Sequence, residues 1–137
     1  MWTEDARVQT CAATLDWLGE GPFVGMVGHG RGPATSYWTV DVAHLTSHLA
    51  DEAAREAVRV GDSLYYRVQL GGPGHFDRQY IRTFHLPTGQ ARAVTGDLGA
   101  LYFLAAEPRS QTLITVNGQS KIFVLDARSG RLTSCSL

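Results

Sequence analysis

The sequence predicts a mainly all-β chain of three four-stranded antiparallel units, with one or two short helices near residues 7–18 and 49–58. Three observations lead there. First, Tyr80-Ile81-Arg82-Thr83-Phe84-His85-Leu86-Pro87-Thr88-Gly89 is echoed by Lys121-Ile122-Phe123-Val124-Leu125-Asp126-Ala127-Arg128-Ser129-Gly130, with the two glycines 41 residues apart. Second, a fainter copy sets Tyr37 43 residues ahead of Tyr80; a recurring spacing of this size marks a stacked supersecondary unit. Third, short β-branched and aromatic runs alternate with clusters of Gly, Pro, Asn and Asp, the pattern of strands and turns.

In the first unit, about residues 7–48, Val8 to Leu18 reads either as a strand or as an amphipathic helix ending before Gly19-Glu20-Gly21. Phe23 to Gly28 and Ser36 to Val42 read as paired strands around a glycine-rich loop. The middle unit, about 49–95, opens on Leu49 to Val58, whose alanines and glutamates favour helix by several tenths of a kcal/mol per residue. Ser63 to Leu70 is an aromatic strand, Gly71 to Asp77 a loop, and Gln79 to Leu86 the next strand, turning through Pro87-Thr88-Gly89. In the last unit, about 96–137, Ala100 to Ala106 is apolar and breaks at Glu107-Pro108. Thr112 to Val116 ends at Asn117-Gly118, a dipeptide that accepts positive φ in a tight hairpin. Lys121 to Leu125 and Arg131 to Leu137 complete a meander.

A length of 137 residues fits one domain of modal size, so residues 1–137 are expected to form a single domain. Twelve basic against 13 acidic side chains, with no run of like charge, leave no stripe for nucleic acid and no polybasic membrane anchor. No apolar run approaches the roughly 18 residues of a membrane span, and Met1-Trp2-Thr3-Glu4-Asp5 is not a signal sequence. A cytoplasmic, intracellular location is expected. Cys11 and Cys135 lack the spacing of a zinc site or disulfide scaffold and read as two reduced core thiols.

At this point the chain resembles a WD40-type β-propeller. Leu125-Asp126 stands where that family has Trp-Asp, Gly96-Asp97 where it has Gly-His, and Phe84-His85 and Val40-Asp41 take the Trp-Asp place in the other units. No unit keeps both dipeptides, so the family's His-centred network is not carried over. The phrase from Val124 to Gly130 is shared with PQQ-type and other propellers, which leaves the subfamily open. The resemblance implies blades packed face to face around an axis. Propellers close with roughly four to eight blades, and an open array leaves strand edges and faces bare. Three units therefore imply completion by another copy, another chain or a longer parent, and association is expected.

Candidate chemistry is thin. His44 and His48 would share a helix face, but Leu45 stands where an HExxH site needs its Glu; neither metal nor cofactor is expected. The glycine-rich stretch from Gly25 to Gly32 lacks the Gly-Lys-Ser/Thr ending of a P-loop. Asp16, Asp41, His44 and Ser47 supply hydrolase residue types without a nucleophile elbow, so no catalytic residue is assigned. The loop from Gly71 to Arg78 is different: His75, Phe76 and Arg78 combine aromatic and cationic types enriched where proteins bind one another. The expected function is a non-enzymatic interaction or scaffold module with a protein partner or itself, and with neither nucleic acid nor membrane. The alternative is a small α/β enzyme or accessory subunit, with 7–18 and 49–58 as helices.

Overall fold

The computed structural model describes residues 12–18, 21–29, 35–51, 57–71 and 76–136. Every regular element among them is a strand. The chain divides into two compact units, Met1–Arg55 and Glu56–Leu137.

The first unit contains β1 (Ala12–Trp17), β2 (Phe23–His29), β3 (Thr35–Asp41) and β4 (Thr46–Asp51). They pair antiparallel in chain order as one sheet, with Ala12 opposite His29 and Phe23 opposite Asp41. The Leu18 N–H donates to the Phe23 carbonyl at 2.9 Å and the Val42 N–H to the Pro22 carbonyl at 2.9 Å, both at the start of β2. Residues 42–45 turn the chain from β3 into β4, with Leu45 at φ +53°.

Where the segments near 7–18 and 49–58, expected as helices, are described, their regular structure is strand. Residues 12–17 are β1, 49–51 finish β4, and 57–60 are a strand of the second unit; residues 7–11 and 52–56 lie outside the described residues. A helix of about ten residues is marginal alone, and a few tenths of a kcal/mol per residue is outweighed by a ladder. Leu49 pairs with Trp38 and Val58 with Tyr65, each adding backbone bonds along a sheet.

The second unit holds two sheets. One is β5 (Ala57–Val60), β6 (Ser63–Gln69), β7 (Gln79–His85) and β8 (Ala91–Ala93); the other is β9 (Leu101–Glu107), β10 (Thr112–Asn117), β11 (Lys121–Asp126) and β12 (Leu132–Ser136). Each is an antiparallel meander of four neighbours. The doubled phrase folds twice into one geometry. Gly89 at φ +74° donates to the His85 carbonyl at 2.8 Å, and Gly130 at φ +75° to the Asp126 carbonyl at 2.8 Å. Immediately after each third strand, Leu86 donates back to Asp62 and Ala127 to Gln111, both at 2.8 Å. Third strands are thus 41 residues apart and second strands 49 apart, the longer β6–β7 connection taking up the difference.

Asn117-Gly118 forms its hairpin differently from expectation. The left-handed residue is Ser120 at φ +59°, and the Asn117 Oδ1 accepts the N–H groups of Gln119 and Lys121, each at 3.0 Å. The asparagine caps a three-residue loop with its side chain instead of bending its own backbone.

Alternation sorts the side chains of β10 cleanly: Leu113, Thr115 and Asn117 are buried, whereas Ile114 is exposed. The core runs between the two sheets of this unit. Val60, Tyr65 and Ile81 come from the β5–β8 sheet, and Leu101, Leu104, Leu113 and Leu125 from the β9–β12 sheet. Full burial of one such side chain contributes about 1.5–3 kcal/mol. Polar ties cross the same interface, because the Leu101 carbonyl accepts from Arg67 Nη1 at 2.6 Å and from Gln79 Nε2 at 3.3 Å. The opposite face of β5–β8 carries Leu64, Tyr66 and Phe84, also buried. Cys135 corrects the expectation of two core thiols: it lies exposed on β12, an edge strand whose every residue is exposed. Cys11 lies outside the described residues.

Candidate functional site

The connection between β6 and β7 carries the expected partner contacts. It is held at its base, where Leu70 donates to the Arg78 carbonyl at 2.8 Å. Gln79 Nε2 donates to the Phe76 carbonyl at 2.8 Å, tying the loop to the strand that follows. Phe76 is 47% exposed. Arg78 Nε donates to Asp97 Oδ2 at 3.1 Å, an exposed ion pair. The Asp97 carboxyl lies below its ordinary value, first because the Gly99 N–H donates to it and then because of Arg78. His75 lies outside the described residues. The structure brings Phe76 and Arg78 to one supported loop.

A larger surface was not singled out in the sequence. On β9–β12 the register sets Phe103 opposite Val116 and Ala105 opposite Ile114, with Ile114 opposite Val124 and Val116 opposite Ile122. These six side chains share the face turned away from the core. Phe103 is 43% and Ile114 38% exposed, and Ala105 is exposed too. On the outer strand, Thr133 and Cys135 extend this face opposite Val124 and Ile122. No charged side chain falls at these eight positions, and at one end the face continues through Thr112 to the carboxylates of Glu107 and Asp126. The signal for it was present in the sequence, in the alternation along Thr112-Leu113-Ile114-Thr115-Val116, since both phases are apolar or β-branched and a sheet with one wet face would show a polar phase.

Two polar features complete the surface. Ser63, Tyr65, Thr83, His85, Gln90, Ala91 and Arg92 line a cleft of about 540 Å³ on the β5–β8 sheet. His85 Nδ1 is engaged by the Thr88 hydroxyl at 2.9 Å within its own turn. In the first unit, His44 Nδ1 lies 2.9 Å from Asp41 Oδ2, and this contact, with the N–H groups of His44 and Ala43, holds the Asp41 carboxyl below its ordinary value. His44 belongs to a turn and His48 to β4, so the shared helix face considered for them does not exist. Among the described residues no three His, Cys, Asp or Glu side chains gather as a metal site, and no helix is long and apolar enough to cross a membrane.

Among solved structures, the chain is similar to the β-propeller domain of the trilobed protease from Pyrococcus furiosus, described as having an open velcro topology. The TM-score is 0.64 at 12% identity, over 90% of this chain and 43% of that one. An oligogalacturonate lyase in complex with manganese matches at TM-score 0.46 and 12% identity, over 90% of this chain and 53% of that one, a likeness too slight to bear on the fold. This chain thus spans less than half the length of the propeller it matches. No protein-family model and no curated protein matches it. The first likeness shows a β-propeller-type fold; it does not single out the WD40-type family.

Proposed function

We propose that the chain is a non-enzymatic protein-interaction module, a cytoplasmic scaffold of degenerate WD40-like blades whose propeller is completed by another copy or another chain. The apolar outer face of β9–β12 carries this reading. Tyr65, Ile81 and Thr83 occupy the positions of β5–β8 that correspond, at spacings of 49, 41 and 41, to Ile114, Ile122 and Val124. The first three are 7%, 1% and 7% exposed, whereas Ile114 is exposed and Ile122 and Val124 are half-buried, as on a face that lacks a covering sheet. His75, Phe76 and Arg78 are the proposed rim contacts for a protein partner, since an aromatic and a guanidinium on a supported loop suit recognition. The α/β enzyme alternative loses its premise, because both of its helices are strands wherever they are described.

Light scattering on the purified chain tests the reading. A dimer or larger species, or precipitation in the absence of a partner, is the expected result; a well-behaved monomer across a wide concentration range contradicts it.

A further inference from the structure

The cleft on the β5–β8 sheet is a site of its own, and we infer that it binds a small hydroxylated organic carboxylate, with the Arg92 guanidinium on the carboxylate. The register builds it. Ser63 stands opposite His85, and Tyr65, Thr83 and Arg92 form one row across β6, β7 and β8, so all five lie on one face. Directly opposed side chains on a face stand about 5 Å apart, and the cleft of about 540 Å³ that they line with Gln90 is of small-molecule size. Tyr65 marks the site. It is 7% exposed and belongs to the core with Ile81 and Leu101, yet among the described residues its hydroxyl has no hydrogen-bond partner. A tyrosine hydroxyl on so buried a residue normally has one. The repeat shows that packing does not require polar groups here: at spacings of 49, 41 and 41, Ile114, Val124 and Thr133 stand where this row has Tyr65, Thr83 and Arg92, in the same mutual register.

The charges select the ligand. Arg92 is exposed, and among the described residues its guanidinium, the Ser63 hydroxyl and the Gln90 amide have no partner. Thr88 occupies His85 Nδ1, which leaves Nε2 open, whereas Thr83 spends its hydroxyl on the Leu64 carbonyl at 2.9 Å. Among the described residues that line the cleft, none is Asp or Glu; Asp62, next to Ser63, lies 3.8 Å from Arg59 Nη2. A guanidinium fork without an acid of its own takes a carboxylate or a phosphate in two parallel hydrogen bonds. One fixed positive charge matches the single charge of a carboxylate better than the two of a phosphate. The Tyr65 and Ser63 hydroxyls and the Gln90 amide both donate and accept, so they pair with hydroxyls on the body of the ligand.

Isothermal titration of the full chain with quinate, a hydroxylated ring carboxylate, tests this beside its uncharged methyl ester and inorganic phosphate. Saturable binding of quinate, tighter than that of either control, is the expected result. Arg92→Gln should weaken it about tenfold or more, the worth of a charge-assisted hydrogen bond. Tyr65→Phe should weaken it about threefold with no loss of melting temperature, because the hydroxyl it removes has no partner among the described residues. Arg109→Gln, at an exposed arginine outside the cleft, should change nothing. Phosphate or the ester binding as tightly as quinate, an equal loss in Arg109→Gln and Arg92→Gln, or no saturable binding of quinate overturns the inference. A lowered melting temperature in Tyr65→Phe also overturns it, by giving the hydroxyl a structural role. A chain that stays monomeric and binds quinate in this way upholds it, since the cleft does not depend on association.

Discussion

Gly130 sits at φ +75° with nothing within 4 Å of the place a Cβ would take. Its substitution therefore probes backbone conformation alone. Gly130→Ala should cost about 1 kcal/mol, the penalty of an L-residue held in the left-handed region, read as a lower denaturation midpoint at unchanged slope. An unchanged midpoint would show that the turn relaxes. Asp97 gives the pH counterpart. Its folded-state pKa lies below the unfolded one, so its contribution is fully present above the unfolded value of about 4. It fades as the pH falls through the lower folded value. Asp97→Asn should accordingly bring the melting temperature below that of the parent at pH 6, and the gap should close toward pH 2. A gap independent of pH would assign the loss to geometry instead of charge. At this scale the glycines were legible in the sequence, because only positive φ explains Gly at both phrase ends. The role of Asn117 was not, because a side-chain cap and a left-handed bend draw on the same residue type.

Among the elements, the later strands were the legible ones. β6, β7, β10 and β11 are β-branched and aromatic and are bounded by turn residues, so composition and pairing agree. The two segments read as helices rested on different signals, alanine and glutamate preferences for 49–58 and an apolar spacing for 8–18, and where they are described both are held in ladders, Leu49 opposite Trp38 and Leu15 opposite Met26. The β6–β7 loop is the element whose function is open to direct test. Because Phe76 and Arg78 are exposed and their backbone is held by Leu70 and Gln79, Phe76→Ala and Arg78→Ala should weaken partner capture severalfold and leave the melting temperature within about 1 °C of the parent. The Arg78–Asp97 pair is solvent-exposed and contributes little, the main support of Asp97 being the Gly99 N–H. A clear loss of melting temperature would place Phe76 and Arg78 among the supports of the sheet.

For the molecule as a whole, the repeat proposes an architecture, and the fate of one face decides what that architecture is for. Tyr65, Ile81 and Thr83 are buried on β5–β8, whereas on β9–β12 their counterpart Ile114 is exposed and Ile122 and Val124 are half-buried. That asymmetry depends on which sheet follows which, a property of the assembled chain that a reading of single strands does not reach. The most direct measurement is the molar mass of the parent beside Ile114→Lys in the same buffer. Ile114 is exposed, so a lysine there leaves the core of its own sheet untouched while placing a charge on the outer face proposed to be covered, where burial without a partner is costly. The predicted result is at least twice the chain mass for the parent and once for the variant, with both equally folded by circular dichroism. Equal masses for the two, whether single or double, would contradict the account.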